Sequence, residues 1–205
     1  MNTLLIVFAL VAAYLIGSLS GSLLLAPLFG SADPRRSGSG NAGATNALRT
    51  GGRGYGAAVL AFDLLKGVVA ALLVQAIFGV SQAAAFGCGA MAVIGHVYPV
   101  FFGFRGGKGA ATLIGVLLVL LPAALLVGLV VWIGTLVTTG FVGLATILGM
   151  LAVALTCVVA PAATAAAKLF VIAMTVLIVY THRENIKRLR AGTENRFERV
   201  MWRRR

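Results

Sequence analysis

From Gly109 to Thr181 the chain runs for 73 residues with a single charged side chain, Lys168. A run of that length with no water-facing polar stripe cannot form the surface of a soluble domain. Inside a bilayer it is tolerated, provided that every backbone N–H and C=O is paired, and helices achieve that one segment at a time. The remaining composition agrees. Of 205 residues, 60% are hydrophobic and 11% charged, and the mean hydropathy is +1.01; soluble domains run about 45–50% apolar and about 25% charged. A soluble enzyme, a disordered tail and a secreted disulfide scaffold are excluded as whole-chain descriptions. The expected fold class is an all-α, polytopic integral membrane helical bundle.

Leu4–Leu25 reads as a first span, retained because Met1-Asn2-Thr3 has no positive n-region of a cleavable signal. A polar Gly/Ser/Arg/Asn segment follows from Ser31 to Gly54. Tyr55–Val80 reads as a second span interrupted by Asp63 and Lys66, Ser81-Gln82 as a turn, and Ala83–Phe102 as a third span before the short basic loop Gly103–Gly109. Lys and Arg number 17 against five Asp and Glu, a net charge of +12. All but Lys66 and Lys168 fall in three segments: Arg35, Arg36, Arg49 and Arg53; Arg105 and Lys108; and the nine that follow the last apolar run. Placing all three segments in the cytoplasm satisfies the positive-inside rule. Parity then requires an even number of spans between Gly109 and Thr181. Two would need helices of about 36 residues, roughly 54 Å, to cross a core of about 30 Å. Four helices of about 17 residues fit, with breaks near Leu121-Pro122, Thr138–Gly140 and Ala160-Pro161. The expectation is seven spans in one membrane-embedded domain, residues 1–182 forming spans and cytoplasmic loops and 183–205 a basic cytoplasmic segment, with the N-terminus outside. The 26 glycines, many within spans, are read as close-packing positions between helices. Cys88 and Cys157 have no metal or redox spacing and read as small core residues.

Three polar segments can carry chemistry. Asp33 to Arg49 contains Gly38-Ser39-Gly40-Asn41-Ala42-Gly43-Ala44-Thr45-Asn46. Small residues and glycines at Gly40 and Gly43 expose backbone N–H groups that can wrap an anion, Ser39, Asn41, Thr45 and Asn46 add donors, and Arg49 can clamp two oxygens at once. A helix starting near Ala44 would favour negative charge at its N-terminus. A flexible Gly/Ser loop is the plainer alternative. The second segment leads from Gly95-His96 and Pro99 to Arg105-Gly106-Gly107-Lys108-Gly109; it lacks Walker spacing, yet Gly106, Gly107 and Lys108 place amides beside an ammonium. The alternatives are a positive-inside anchor for Lys108 and a satisfied core position for His96. In the third, His182 and Asn185 share a helix face at i and i+3, while Arg183, Lys187 and Arg190 read as a basic juxtamembrane face for anionic lipid. Asp63 and Lys66, one turn apart inside a span, are either a structural ion pair or functional charges. Nucleic acid is not an expected partner, since aromatic residues for stacking are few in the basic segments.

Taken together these residues resemble the bacterial acyl-phosphate:glycerol-3-phosphate acyltransferase family (PlsY). The resemblance rests on Gly38-Ser39-Gly40-Asn41 with Gly43-Ala44-Thr45-Asn46 and Arg49, Asp63 with Lys66-Gly67, Gly95-His96 and Pro99 before Gly106-Gly107-Lys108-Gly109, and His182-Arg183 with Asn185 and Ile186. It implies a seven-helix enzyme of the bacterial inner membrane, with its active site on the cytoplasmic side. That enzyme transfers a fatty acyl group from acyl phosphate to glycerol 3-phosphate, yielding lysophosphatidic acid and phosphate without a metal or organic cofactor. Ser39, Asn41, Thr45, Asn46, Arg49, Lys108, His182 and Asn185 would form the pocket for the two phosphates, with Ser39, Lys108, His182 and Asn185 in catalysis. His96, Asp63, Lys66 and Thr139 are further candidates. One departure stands out. Family members carry a Ser/Thr-Arg pair and then a serine between the fifth and sixth spans, whereas this chain reads Thr138-Thr139-Gly140-Phe141-Val142-Gly143.

The chemistry implied is economical. An acyl phosphate is a mixed anhydride with a good leaving group, so positioning and electrostatic stabilisation by Lys108, Arg49 and the glycine-loop amides can carry most of the rate. No His-x4-Asp motif is present: five residues after His96 stands Phe101, and after His182, Lys187. The hydroxyl proton is expected to go to a substrate phosphate or to His182 as general base. Alternatives from other classes are a divergent paralogue with another phosphorylated acceptor, an organic-phosphate transporter, for which no internal repeat is seen, and a non-catalytic lipid-binding protein.

Overall fold

The computed structural model describes residues 3–78 and 81–197. Among them every regular element is helical: α1 Thr3–Gly17, α2 Gly21–Leu25, α3 Ala44–Phe78, α4 Gln82–Val97, α5 Ala110–Leu120, α6 Pro122–Thr139, α7 Val142–Val159, α8 Ala165–Thr181 and α9 Arg183–Arg190, with short 3-10 turns at Pro27–Phe29, Pro34–Arg36 and Val100–Phe102. The chain divides into two compact units, residues 1–120 and 121–205. Among the described residues four helical stretches are long and apolar enough to cross a membrane, namely Ala44–Leu72, Gln82–Phe102, Pro122–Thr139 and Val142–Val159. A fifth is reached if α8 and α9, bent by 55°, form one span.

Between Gly109 and Thr181 the chain folds as four helices, α5 to α8, and breaks at the three places expected. Pro122 opens α6, Gly140 closes it in the left-handed conformation (φ 74°), and Ala160 ends α7. The lengths are less even than about 17 residues each: α5 has 11, roughly 16 Å at 1.5 Å per residue.

Elsewhere the structure refines the sequence reading. The first span is broken: α1 stops at Gly17 and α2 resumes at Gly21. The helix expected to start near Ala44 does so and runs on without a loop into the second span, so Arg49 and Arg53 of the polar segment stand on α3, and the bend falls inside α3 at Gly52 (φ 85°, ψ −178°). Composition hid this, because the residues from Thr45 to Gly54 are polar on a helix that starts outside the apolar run. The third span ends at Phe102 as read, with α4 reaching Val97 and a 3-10 turn at Val100–Phe102 completing it. Ser81 caps α4 by accepting the Ala84 N–H at 3.3 Å, which is how the expected turn is built.

Within the first unit, α1 packs on α4 and α3 on α5. A methyl group at Gly17 would run into the Ala92 backbone of α4, and one at Gly95 into the Tyr14 carbonyl of α1; Gly67 and Gly115 meet the α5 and α3 backbones in the same way. These approaches are the small-residue packing that apolar helices need where burial alone does not drive them together. In the second unit α6 packs on α7 through Gly128 and Gly149, and α7 on α8.

The break between α1 and α2 frees backbone groups inside apolar surroundings, and the two charges of α3 satisfy them. Lys66 Nζ donates to the Leu19 carbonyl at 2.6 Å, and Asp63 Oδ1 accepts the Gly21 N–H at 3.2 Å. The two side chains pair at 3.0 Å and are 4% and 1% exposed. The two charges therefore pair with one another, one of the two readings open from sequence, and in doing so bond the backbone at a helix break.

Candidate active site

In the first segment the loop is built around one amide. Asn46, 1% exposed, donates from Nδ2 to the carbonyls of Pro34 (2.7 Å) and Ser37 (3.1 Å), while its Oδ1 accepts the Ser39 N–H (2.9 Å). Two carbonyls and one N–H around the amide fix its orientation. Asn46 therefore shapes the loop from inside. Gly38 and Gly40 take positive φ (59° and 69°), and a side chain at Gly38 would strike Asn46 Oδ1. Ser39 and Gly40 are exposed at the crest, and Asn41 lays its amide across Gly43. The loop delivers the chain into α3 at Ala44, where the first N–H groups have no intrahelical acceptor and the helix dipole favours an anion. Thr45 and Arg49, i and i+4 on α3, lie on one face.

The second segment meets the first. After α4, the Gly106 N–H donates to the Val97 carbonyl and the Gly107 N–H to the His96 carbonyl, each at 3.1 Å. A methyl group at Gly107 would run into the His96 imidazole and come within 2.7 Å of the Ala42 carbonyl. The two glycine-rich segments thus touch at Gly107 and Ala42. Arg35 clips them a second time. Its guanidinium donates to Asp33 Oδ1 at 3.1 Å and Oδ2 at 2.7 Å, and to the Phe102 carbonyl at 2.9 Å. The Arg35 hydrogen bonds hold the Asp33 carboxyl below its ordinary value. Lys108 follows, half-buried, ahead of α5. His96, 3% exposed, faces the interior with Nδ1 3.5 Å from Asp63 Oδ1.

The second unit holds the third segment. His182 lies at the bend between α8 and α9 rather than within a helix. Its Nδ1 is 2.8 Å from the Ile178 carbonyl; a carbonyl only accepts, so Nδ1 carries a proton. Asn185, buried on α9, donates to Glu194 Oε1 at 2.7 Å, and Arg188 Nε donates to Glu194 Oε2 at 2.6 Å. A methyl group at Gly143 would lie 2.8 Å from Asn185 Nδ2, so the bare backbone of α7 is what admits Asn185 there. At the turn where the sequence has no arginine, the Gly140 carbonyl accepts the Phe197 N–H at 2.8 Å, and the Arg196 guanidinium lies over the Phe141 ring at 5.0 Å. Thr139 Oγ1 donates to the Thr135 carbonyl and accepts the Phe141 N–H, closing α6.

The structure brings the first two segments together in one unit and places His182, Asn185 and Thr139 in the other. Sequence reasoning assigned no role to Asp33, Glu194 or Arg196, and left Arg35 as one of several basic loop residues. The available signal was scarcity: with five acidic residues in the chain, each one was a candidate for a fixed partner.

Apolar helices that enclose a sealed buried ion pair, with two glycine-rich, basic segments joined at helix ends, define a polytopic helical membrane protein with a candidate anion-binding site. The glycerol-3-phosphate acyltransferase family model matches residues 7–192. A glycerol-3-phosphate acyltransferase of Agrobacterium fabrum is 42% identical over 193 residues, covering 94% of this chain and 92% of the relative. One of Aquifex aeolicus is 41% identical over 190 residues, 93% and 98% respectively. The crystal structure of PlsY (YgiH), an integral membrane glycerol 3-phosphate acyltransferase, superposes in its glycerol 3-phosphate form with a TM-score of 0.87 at 40% identity, over 94% of this chain and 95% of that one. Its lysophosphatidic acid form gives 0.86 at 38%, over 97% and 99%. The chain belongs to the glycerol-3-phosphate acyltransferase family.

Proposed function

We propose that this protein is a glycerol-3-phosphate acyltransferase that uses an acyl phosphate as donor, with seven membrane crossings in a bacterial inner membrane, the N-terminus outside, and its chemistry on the cytoplasmic side. The observation that carries the proposal is the junction of the two glycine-rich segments at Gly107 and Ala42, beside the N-terminus of α3. The first N–H groups of a helix, its dipole and nearby cations are what a phosphate group requires. The forms in which the related PlsY was crystallised, with glycerol 3-phosphate and with lysophosphatidic acid, support the same substrate class here.

In this proposal the side chains of Ser39, Asn41, Thr45, Arg49 and Lys108, with the first N–H groups of α3, bind and orient phosphate, while Gly40, Gly43, Gly106 and Gly107, whose own N–H groups are engaged within the loops, shape the two segments that present them. Asn46 contributes by holding the loop that presents them. His182 and Asn185 serve in catalysis. The glycerol hydroxyl oxygen forms the new ester bond to the acyl carbon, and the bond from that carbon to the phosphate oxygen breaks. The hydroxyl proton ends on the departing phosphate, directly or by way of His182 Nε2. Lys108, Arg49 and the first N–H groups of α3 stabilise the charge that builds on the carbonyl and leaving oxygens.

The test is purified protein with palmitoyl phosphate and radiolabelled glycerol 3-phosphate, wild type beside Lys108→Ala. Lysophosphatidic acid is expected from the wild type, with loss of most turnover in the variant. Folded wild type that yields no product, or that accumulates label inside vesicles without acylating it, overturns the proposal. A His182→Gln variant with near-full turnover eliminates the histidine as base.

A further inference from the structure

The first unit contains a buried titratable group that the proposed reaction does not use. His96 is the penultimate residue of α4, and its ring is wedged between the interior charges of α3 and the Gly106-Gly107-Lys108 segment. On one side, Nδ1 is 3.5 Å from Asp63 Oδ1, an electrostatic contact longer than a good hydrogen bond. Asp63 is itself fixed by Lys66 at 3.0 Å and by the Gly21 N–H at 3.2 Å, so it cannot follow the ring. On the other side, the Nε2 and Cε1 edge lies against Gly107, closely enough that no Cβ fits. The same residue's carbonyl accepts the Gly107 N–H at 3.1 Å. Ala42 of the first segment closes on the same glycine, its carbonyl 2.7 Å from where a Cβ would stand. Behind the ring, Gly95 packs on the α1 backbone at Tyr14 and Ser18, which denies α4 any retreat.

We propose that His96, braced by Asp63, is a positioning residue for the phosphate site: its imidazole is the platform on which Gly107 rests, and it holds the second glycine-rich segment against the first at Ala42. This rests on the acyltransferase reading above and adds to it a residue that touches no substrate. The chemistry follows from the packing. A phosphate clamp made of two loops binds only while both loops keep their spacing, and misplacement of the order of 1 Å costs as much as about a hundredfold. The Asp63 and Lys66 pair then does two jobs, sealing the α1–α2 break and anchoring the platform.

The experiment compares wild type, His96→Asn, Gly107→Ala and the double variant in the acyl phosphate assay, with KM for glycerol 3-phosphate and kcat measured separately and folding followed by thermal unfolding in detergent. Asparagine keeps a polar group facing Asp63 and removes the ring edge beneath Gly107. His96→Asn is expected to raise KM about tenfold, with kcat within about threefold and the unfolding midpoint unchanged. Gly107→Ala, which keeps the ring and collides with it, is expected to raise KM at least as much. The double variant gives the added methyl the space the ring vacated, so its KM should fall below the product of the two single increases. A merely structural histidine would give multiplicative effects, or a loss of folded protein with unchanged KM in what survives. Unchanged KM in folded His96→Asn overturns the inference. If that variant does not fold, unchanged KM in Gly107→Ala overturns it instead. Wild type that makes no lysophosphatidic acid sinks the acyltransferase reading, which is a different outcome from an active wild type with an indifferent His96.

Discussion

The buried pair of Asp63 and Lys66 makes a quantitative prediction, because each partner has a second duty. Lys66→Met removes the ammonium and leaves a carboxylate buried at 1% exposure, with the Gly21 N–H as a bonded neighbour; an uncompensated buried charge costs about 3–5 kcal/mol. It also strips the Leu19 carbonyl of its 2.6 Å donor, a further cost of about 1–3 kcal/mol. Asp63→Asn keeps an oxygen for the Gly21 N–H but strands the ammonium, again about 3–5 kcal/mol. In the double variant both charges are gone and the stranded Leu19 carbonyl is the main residual, about 1–3 kcal/mol. The singles therefore sum to about 7–13 kcal/mol against about 1–3 for the double, a coupling of at least about 4 kcal/mol. Equilibrium unfolding in mixed detergent micelles, followed by helical circular dichroism, measures all four corners of the cycle. A double variant as unstable as the sum of the singles would refute the reasoning, and would mean that the helix break is held by other groups.

Three further expectations can be checked by the same means. Asn46→Ala removes three loop hydrogen bonds at about 1 kcal/mol each, so unfolding should shift by about 3 kcal/mol and KM for glycerol 3-phosphate should rise; unchanged KM would show that the loop does not bind substrate. The Arg35 clip lowers the Asp33 carboxyl below its model-compound value of 3.8. A carboxylate with a depressed folded-state value contributes stability that is full above the unfolded value and is lost as pH falls through the folded one. The stability difference between wild type and Asp33→Asn should accordingly be flat from pH 8 to about 5 and disappear below 3.8; a change near neutrality would contradict the assignment. Gly143→Ala sets a methyl 2.8–2.9 Å from Asn185, and the overpacking should cost about 1–3 kcal/mol while lowering kcat more than KM changes. Normal kcat in that variant would remove Asn185 from the chemistry.

What the sequence made legible follows the physics of periodicity and punctuation. The breaks at Pro122, Gly140 and Ala160 could be placed because proline, glycine and bilayer thickness all constrain an uncharged run. The break at Ser18–Ser20 could not, because nothing polar interrupts Leu4–Leu25 strongly enough. Its compensation sits more than 40 residues away in Asp63 and Lys66, and backbone groups satisfied from a distant helix leave no local trace. The start of α3 near Ala44 was legible from the same punctuation, but its continuity into the apolar run was not: polar composition suggests a loop as far as Gly54, yet Ala44 to Gly51 hydrogen-bond as helix, and Gly52, not the edge of the apolar run, marks the bend. The candidate residues themselves were legible as types. Their division of labour was not, since Asn46 and Asn41 look alike in a string and differ in that one amide is wholly engaged by Pro34, Ser37 and Ser39.

The same limit applies to charge. A net +12 reads from sequence as one cationic field, but a basic residue with an acidic neighbour is neutralised at home and adds little attraction for a phosphate. Four of the five acidic residues lie among the described positions, and each has a base within 3.0 Å: Asp33 with Arg35, Asp63 with Lys66, Glu184 with Lys187 and Glu194 with Arg188. The fifth, Glu198, lies outside the described residues. Each acid thereby marks a cation that is spent on architecture: a clip between two loops, a seal on a broken helix, a turn of α9, and the brace behind Asn185. In a chain so poor in acid, removing a carboxylate should disturb the site more than removing a surface arginine would. Glu194→Gln against Arg190→Gln makes that comparison within one segment, and equal losses of kcat would show that net charge, rather than placement, is what the segment supplies.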